Sequence, residues 1–272
     1  MDGRLPKLAA DWRWVLRDGL AWLAAASLAA LDVVHAFTTR MGGTSAPPYD
    51  TLNLGRGVGD RPEAVRANRA RVLAALGRAL DDHVEASQVH AAAVAVVGAA
   101  QRGRKVDGVD ALATRERSVV LAMHCADCVP VLLADPVRGA VAAVHTGWRG
   151  TASGAAAATV AAMAQAFGSR PADLVAAIGP TIGPCCYEVD APVLAGFAAW
   201  PWRDRVFRPS RPDRWSLDLP EANRLQLVAA GVRDAAISAA GLCTSCHAAL
   251  FFSHRRDGRT GRMGALIALA GA

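Results

Sequence analysis

The chain is short of several features that each mark a protein class. Aromatic residues make up 6% of its 272 positions, and among 30 basic residues only Lys7 and Lys105 are lysine. Six cysteines are too sparse at this length for a disulfide scaffold. No run of five or more basic residues occurs, so a nucleic-acid surface is not expected despite a formal charge of +6. No apolar stretch approaches the ~20 residues that a membrane-spanning helix needs. Leu20 to Leu31 covers 12 positions, and it follows 19 residues that include Asp2, Asp11 and Asp18, unlike a secretory leader. That run reads as a buried strand or helix, and the chain as cytoplasmic, with no membrane partner.

What is present fits a globular protein: 53% hydrophobic, 20% charged, with 25 Gly and 14 Pro, which excludes collagen-like, coiled-coil and disordered chains. Because the cationic residues are nearly all arginine, planar bidentate contacts to phosphate or carboxylate ligands are expected.

Trp12 to Leu16, then Arg17-Asp18-Gly19 and a second apolar run, is a hairpin signal. Val33 to Thr38 reads as a strand, and Gly43 to Gly59 as a loop. Asp60-Arg61-Pro62-Glu63 opens a helix with an acidic cap that runs to Leu80. Strands are expected at 94–97, 118–123, 129–134, 140–145, 174–178, 251–253 and 265–270, and helices at 152–167, 187–200 and 219–230. Strands and helices are mixed throughout without a repeat or a long linker, so the whole chain, 1–272, reads as a single α/β sandwich domain.

The densest chemistry lies between His124 and Gly150. Cys128 precedes one apolar strand and His145 ends the next, 17 positions on. Were the two strands an antiparallel hairpin, those ends would lie side by side, and a thiolate beside an imidazole suits Zn²⁺. His90, in Ser87-Gln88-Val89-His90, supplies a candidate third ligand. Cys125/Cys128 and Cys243/Cys246 are two CxxC pairs, but 115 positions separate Cys128 from Cys243. That far exceeds the roughly 15–20 residues of a zinc ribbon. Cys243-Thr-Ser-Cys246-His247 matches the c-type haem pattern, but that attachment requires export. The glycine-rich segment from Gly179 to Glu188 reads as a structural turn or an anion cradle, and the four arginines of 255–262 as a solvated loop or an anion site.

Taken in order, many segments resemble one family, the YfiH-type or laccase-like family. They are Thr38-Thr39-Arg40-Met41-Gly42-Gly43, Asn53-Leu54-Gly55, Gly59-Asp60, Asn68-Arg69, Ser87 to His90, Ala126-Asp127-Cys128-Val129-Pro130 and Val144 to Gly150. They continue through Ile178-Gly179-Pro180, Cys186-Tyr187-Glu188-Val189, Leu217-Asp218-Leu219, Cys243-Thr244 and Phe252 to Gly258. The likeness runs from about residue 33 to the C-terminus. It implies a layered α/β/β/α sandwich and a Zn²⁺ held by His90, Cys128 and His145. It also implies phosphorolysis of adenosine, inosine, guanosine and methylthioadenosine, together with deamination of adenosine, so that nucleoside and phosphate are the expected ligands. Two departures stand out. Cys125 occupies a position usually held by Thr and brings a second thiol near the metal, and His254 replaces an aromatic residue.

On this reading Cys128 and His145 are catalytic as well as ligating. Asp127 is the candidate to orient a ligand imidazole or act as a base, and Arg40, Arg149 and Arg255 are the candidate phosphate-binding residues. One alternative is a thiol hydrolase editing peptidoglycan precursors, with Cys128 as nucleophile and His145 as base. Another is a copper polyphenol oxidase, which seven histidines without a His-x-His pair do not favour.

Overall fold

The computed structural model describes residues 5–271, so Asp2 and the outermost ends of the chain lie outside the described residues. The strands are β1 (Trp12–Arg17), β2 (Leu20–Ala25), β3 (Val33–Thr38), β4 (His83–Ala86), β5 (Val94–Val96), β6 (Lys105–Val106), β7 (Ala111–Thr114) and β8 (Val120–Cys125). They continue as β9 (Val129–Asp135), β10 (Ala140–Thr146), β11 (Val175–Ile178), β12 (Glu188–Asp190), β13 (Phe207–Arg211), β14 (Arg214–Leu217), β15 (Ile237–Ala239) and β16 (Met263–Leu269). The helices are α1 (Ala26–Ala29), α2 (Pro62–Ala75), α3 (Trp148–Ala152), α4 (Ala155–Phe167), α5 (Ala191–Gly196), α6 (Arg203–Val206), α7 (Leu219–Ala229) and α8 (His254–Asp257).

Two large sheets stack face to face. One has the order β1-β2-β3-β16-β8-β4-β6 and the other β15-β11-β9-β10-β7-β5. Alternation along the central strands shows why their sequences are continuous apolar runs rather than one-sided patterns. In β9, Leu132 and Ala134 face the space between the sheets, while Val129, Val131 and Leu133 face α4 and α7. In β16, Met263, Ala265, Ile267 and Leu269 enter the intersheet core, whereas Leu266 and Ala268 meet Val72 and Leu73 of α2. The result is the expected α/β/β/α layering, with α2 outside one sheet and α4 and α7 outside the other. A small third sheet, β12-β14-β13, flanks these layers.

The β1–β2 hairpin closes through Asp18-Gly19, both at positive φ, with Arg17 paired to Leu20. The Leu20–Leu31 run becomes β2 followed by α1. Helix α2 ends at Ala75 rather than Leu80, because Gly77 takes φ 72° and the Arg78 N–H turns back to the Leu73 carbonyl at 2.8 Å. Asp60 does not cap it. Its carboxylate accepts from Ser45 Oγ at 2.6 Å and Asn53 Nδ2 at 2.9 Å.

Segment 187–200, expected to be helical, opens with β12, and only Ala191–Gly196 is helix. Segment 251–253 is buried but forms no strand: Ser253 instead caps α8 by accepting the Arg256 N–H. No helix among the described residues is long and apolar enough to cross a membrane.

The loop of residues 43–59 is tied down by one buried side chain of α2. Asn68 accepts from the Thr44 N–H at 2.9 Å and donates to Ser45 Oγ at 2.9 Å, the Thr51 carbonyl at 3.2 Å and the Asn53 carbonyl at 2.9 Å. Asn53, Asp60 and Asn68, scattered through the sequence, thus form one hydrogen-bonded knot.

Candidate metal centre

Strands β9 and β10 are antiparallel neighbours, with Pro130 opposite His145 and Val129 opposite Thr146. The register sets Cys128 beside His145 at the sheet end, as the spacing requires. His90 arrives from the segment before β5, in a left-handed conformation with φ 62°. The ligand atoms of His90, Cys128 and His145 all lie within 4.8 Å of one another, and the two imidazoles meet edge to face with centroids 5.0 Å apart.

Asp110, fully buried just before β7, organises the group. Its carboxylate accepts the N–H groups of Val89, His90 and Ala91 at 2.8–3.0 Å, and lies 2.9 Å from His145 Nδ1. One side chain therefore fixes both the backbone that carries His90 and the ring of His145, leaving the other ring nitrogen of His145 for the side of Cys128. Burial opposes charge on His145, but Cys128 and Asp110 outweigh it and raise its pKa to about 9. Burial and the proximity of His145 push His90 down.

The donor set fits a metal ion. Gly147 leaves the space in which the ligands converge: a Cβ there would stand 2.8 Å from His90 Nδ1 and 3.1 Å from Cys128 Sγ. Two imidazoles and a thiolate, with a carboxylate behind one ring, match a three-ligand site with an open position.

The residues singled out from the sequence fall into different places. Asp127, with φ 93°, turns the chain into Cys128, and its oxygens accept from Thr244 Oγ1 and the Arg255 N–H, both at 2.6 Å. The carboxylate on a ligand imidazole is Asp110, which no local pattern marks. Cys125 is buried within β8 and stands outside the metal-ligand group; burial, with Cys128 nearby, pushes its thiol well above the ordinary range.

The ligands open onto a cavity of about 430 Å³ whose lining includes the cations Arg56, Lys105 and Arg262, with His254, Gln88 and Glu85. Arg149 and Arg255 instead line a second cavity of about 590 Å³ with Tyr187. Arg149 stacks on Trp148 at 4.3 Å and Arg255 on Tyr187 at 4.9 Å. Arg40 lines neither. Its Nε donates to the Asp50 carbonyl at 2.7 Å, one terminal nitrogen lies 3.1 Å from the Asp50 carboxylate, and the other donates to the Ala248 carbonyl at 3.2 Å. The 179–188 turn is no open anion cradle, since its Thr181, Ile182, Gly183, Cys186 and Tyr187 N–H groups are already bonded within the protein.

A layered α/β/β/α protein with a His₂Cys group at a hairpin end is the class that fold and site together define. The chain belongs to the YfiH family: the family described as multi-copper polyphenol oxidoreductase laccase matches residues 34–270. Among curated relatives, "Purine nucleoside phosphorylase YlmD" of Geobacillus stearothermophilus is 42% identical over 266 residues, covering 92% of this chain and 95% of its own. A "Purine nucleoside phosphorylase" of Deinococcus radiodurans is 46% identical over 252 residues, covering 92% and 94%. The solved structure of YlmD from Geobacillus stearothermophilus superposes with a TM-score of 0.90 at 41% identity, over 96% of this chain and 99% of that one. The Bacillus licheniformis hypothetical protein YfiH gives 0.91 at 39% identity, covering 96% and 100%.

Proposed function

We propose that this chain is a zinc-dependent purine nucleoside phosphorylase acting on adenosine, inosine, guanosine and methylthioadenosine, and that it also deaminates adenosine. The observation that carries the reading is the His90–Cys128–His145 group opening onto a cavity bordered by three cations. The names of the relatives, which share over 40% identity across nearly the whole chain, support the reaction class.

In phosphorolysis a phosphate oxygen bonds to C1′ of the ribose while the C1′–N9 bond breaks and its electrons leave with the purine. In deamination water adds at C6 and ammonia leaves. Zn²⁺, when bound, supplies Lewis acidity and lowers the pKa of water. The protein's own groups do the rest. Asp110 holds His145 in one tautomer and orientation. Arg56, Lys105 and Arg262 are the groups placed to hold a phosphate beside the ligands, and Arg149 and Arg255 offer an anion a place in the neighbouring cavity. A set of six unpaired thiols fits a reducing, cytoplasmic setting.

Zinc is favoured over copper because, among the described residues, the metal-competent groups are this His₂Cys set and one all-cysteine set. Neither supplies the histidines of a multicopper centre. The deciding experiment is metal content combined with a product screen. Ribose-1-phosphate should form only when phosphate is added, inosine should form from adenosine without it, and Cys128→Ala should lose both products and the ion held by His90, Cys128 and His145.

A second reading rests on the row Cys128–His145–Asp110, in which a thiol, an imidazole and a carboxylate stand as in a cysteine hydrolase. Full turnover by metal-stripped protein would favour it over the zinc reading.

A further inference from the structure

A second set of sulfurs gathers away from the His90–Cys128–His145 group. Cys185, Cys186, Cys243 and Cys246 bring their Sγ atoms within 4.8 Å of one another. They come from the turn after β11 and the turn after β15. These strands are parallel neighbours, with Ile178 opposite Ala239, so the chains that leave them travel together. The pairing continues beyond the sheet as an isolated parallel bridge between Thr181 and Cys243. There the Thr181 N–H donates to the Leu242 carbonyl at 3.2 Å and the Thr244 N–H to the Thr181 carbonyl at 3.0 Å. Backbone pairing, more than side-chain rotation, brings the two cysteine pairs together.

The spacing and surroundings of the sulfurs are those of a ligand shell. Cys246 Sγ lies 3.5 Å from Cys185 Sγ and 3.4 Å from Cys186 Sγ. Four sulfurs placed tetrahedrally at ~2.3 Å from a zinc ion sit roughly 3.8 Å apart, whereas a disulfide needs about 2.05 Å. The Gly183 N–H points at Cys243 Sγ at 3.3 Å. The Arg256 guanidinium, paired with Asp257, donates to the Thr244 and Ser245 carbonyls at 2.9 and 3.0 Å and ties the turn between Cys243 and Cys246 to α8.

We propose that Cys185, Cys186, Cys243 and Cys246 form a second, structural metal site that takes Zn²⁺ through four thiolates. Binding releases the thiol protons to solvent and involves no redox change. The ion fastens two turns next to the two cavities. One leads directly into Tyr187, which lines the cavity of Arg149 and Arg255, and the other carries Thr244, whose hydroxyl holds the Asp127 carboxylate next to Cys128.

The test is metal stoichiometry of the intact protein purified in a reducing, chelator-free buffer. Wild type should carry two zinc equivalents per chain. Cys185→Ser combined with Cys246→Ser should carry one, and Cys128→Ala should also carry one. The last variant, reconstituted with Co²⁺, should show the intense thiolate-to-cobalt charge-transfer and tetrahedral d–d bands of an all-sulfur site. This measurement stands even if the double serine variant does not fold. One equivalent in wild type that vanishes in Cys128→Ala would overturn the proposal. So would an intact mass showing these four cysteines oxidised to two disulfides in the reduced preparation.

Discussion

Asp110 Oδ1 stands 2.9 Å from His145 Nδ1 while the same carboxylate collects the N–H groups of residues 89–91. Two members of the His90–Cys128–His145 group, contributed by separate segments, are therefore aligned by a residue outside that group. Asp110→Asn keeps the shape but replaces an acceptor oxygen with an NH₂ group facing the ring or the backbone. We expect zinc affinity to fall by about 10- to 100-fold. Chelator competition measures this, with circular dichroism reporting the fold; unchanged affinity would remove Asp110 from the site.

Gly147→Ala places a methyl group against both His90 and Cys128. Neither ligand can retreat without leaving the other, so metal content and turnover should fall together while the melting transition persists. A fully loaded Gly147→Ala protein would show that the ligands converge by some other path.

Phosphate recognition should separate two arginines. Arg262 lines the cleft with the ligands and donates from Nη1 to the Thr260 and Gly261 carbonyls, whereas Arg40 lines neither cavity and commits Nε and both terminal nitrogens to Asp50 and Ala248. Arg262→Lys should raise the KM for phosphate with little effect on adenosine deamination. Loss of a charged, two-pronged contact is worth roughly 1–3 kcal/mol, about 5- to 150-fold. Arg40→Lys should lower stability and both activities in parallel. A selective phosphate defect in Arg40→Lys would reverse the assignment.

Acid should destabilise the fold in two stages. Burial, with Arg13 nearby, holds His35 at a pKa of about 4, and burial with Arg69 holds His124 at about 3. An unfolded histidine titrates near 6.5, so the unfolded chain takes up these protons first. The associated stability is complete above pH 6.5 and is lost as pH falls towards 4 and then 3. Although burial opposes its charge, Glu85 is held at about 2, chiefly by the Arg69 hydrogen bond, and adds a second loss below pH 4.5. Urea unfolding from pH 7 to 4 should show the first stage, and His35→Gln should flatten it. A level profile in wild type would contradict the assignment.

The meeting of Cys128 with His145 was legible because they sit at facing ends of adjacent apolar strands, where spacing alone sets the partner; His90 offered only its place at an element boundary. Asp110 was not. It comes from the approach to β7, two strands away from β9, and pairs across the sheet rather than along the chain. The union of Cys185 and Cys186 with Cys243 and Cys246 was equally hidden, because it depends on β11 and β15 lying parallel. The continuous apolar runs of β9, β10 and β16 announced strands buried on both faces. In β13, by contrast, four of the five positions, Pro209 among them, are exposed and leave no alternation to read.

Asn68 and its loop bear on how a ligand reaches the centre. Gly55, Arg56, Gly57 and Val58 form one side of the cleft, and they extend from a segment that a single buried amide moors at several backbone and hydroxyl groups. The segment from which that rim springs is therefore settled when the chain folds, and binding need not spend conformational entropy on ordering residues 44–53. A visitor to the cleft meets a doorway whose post already stands, with Arg56 at its edge.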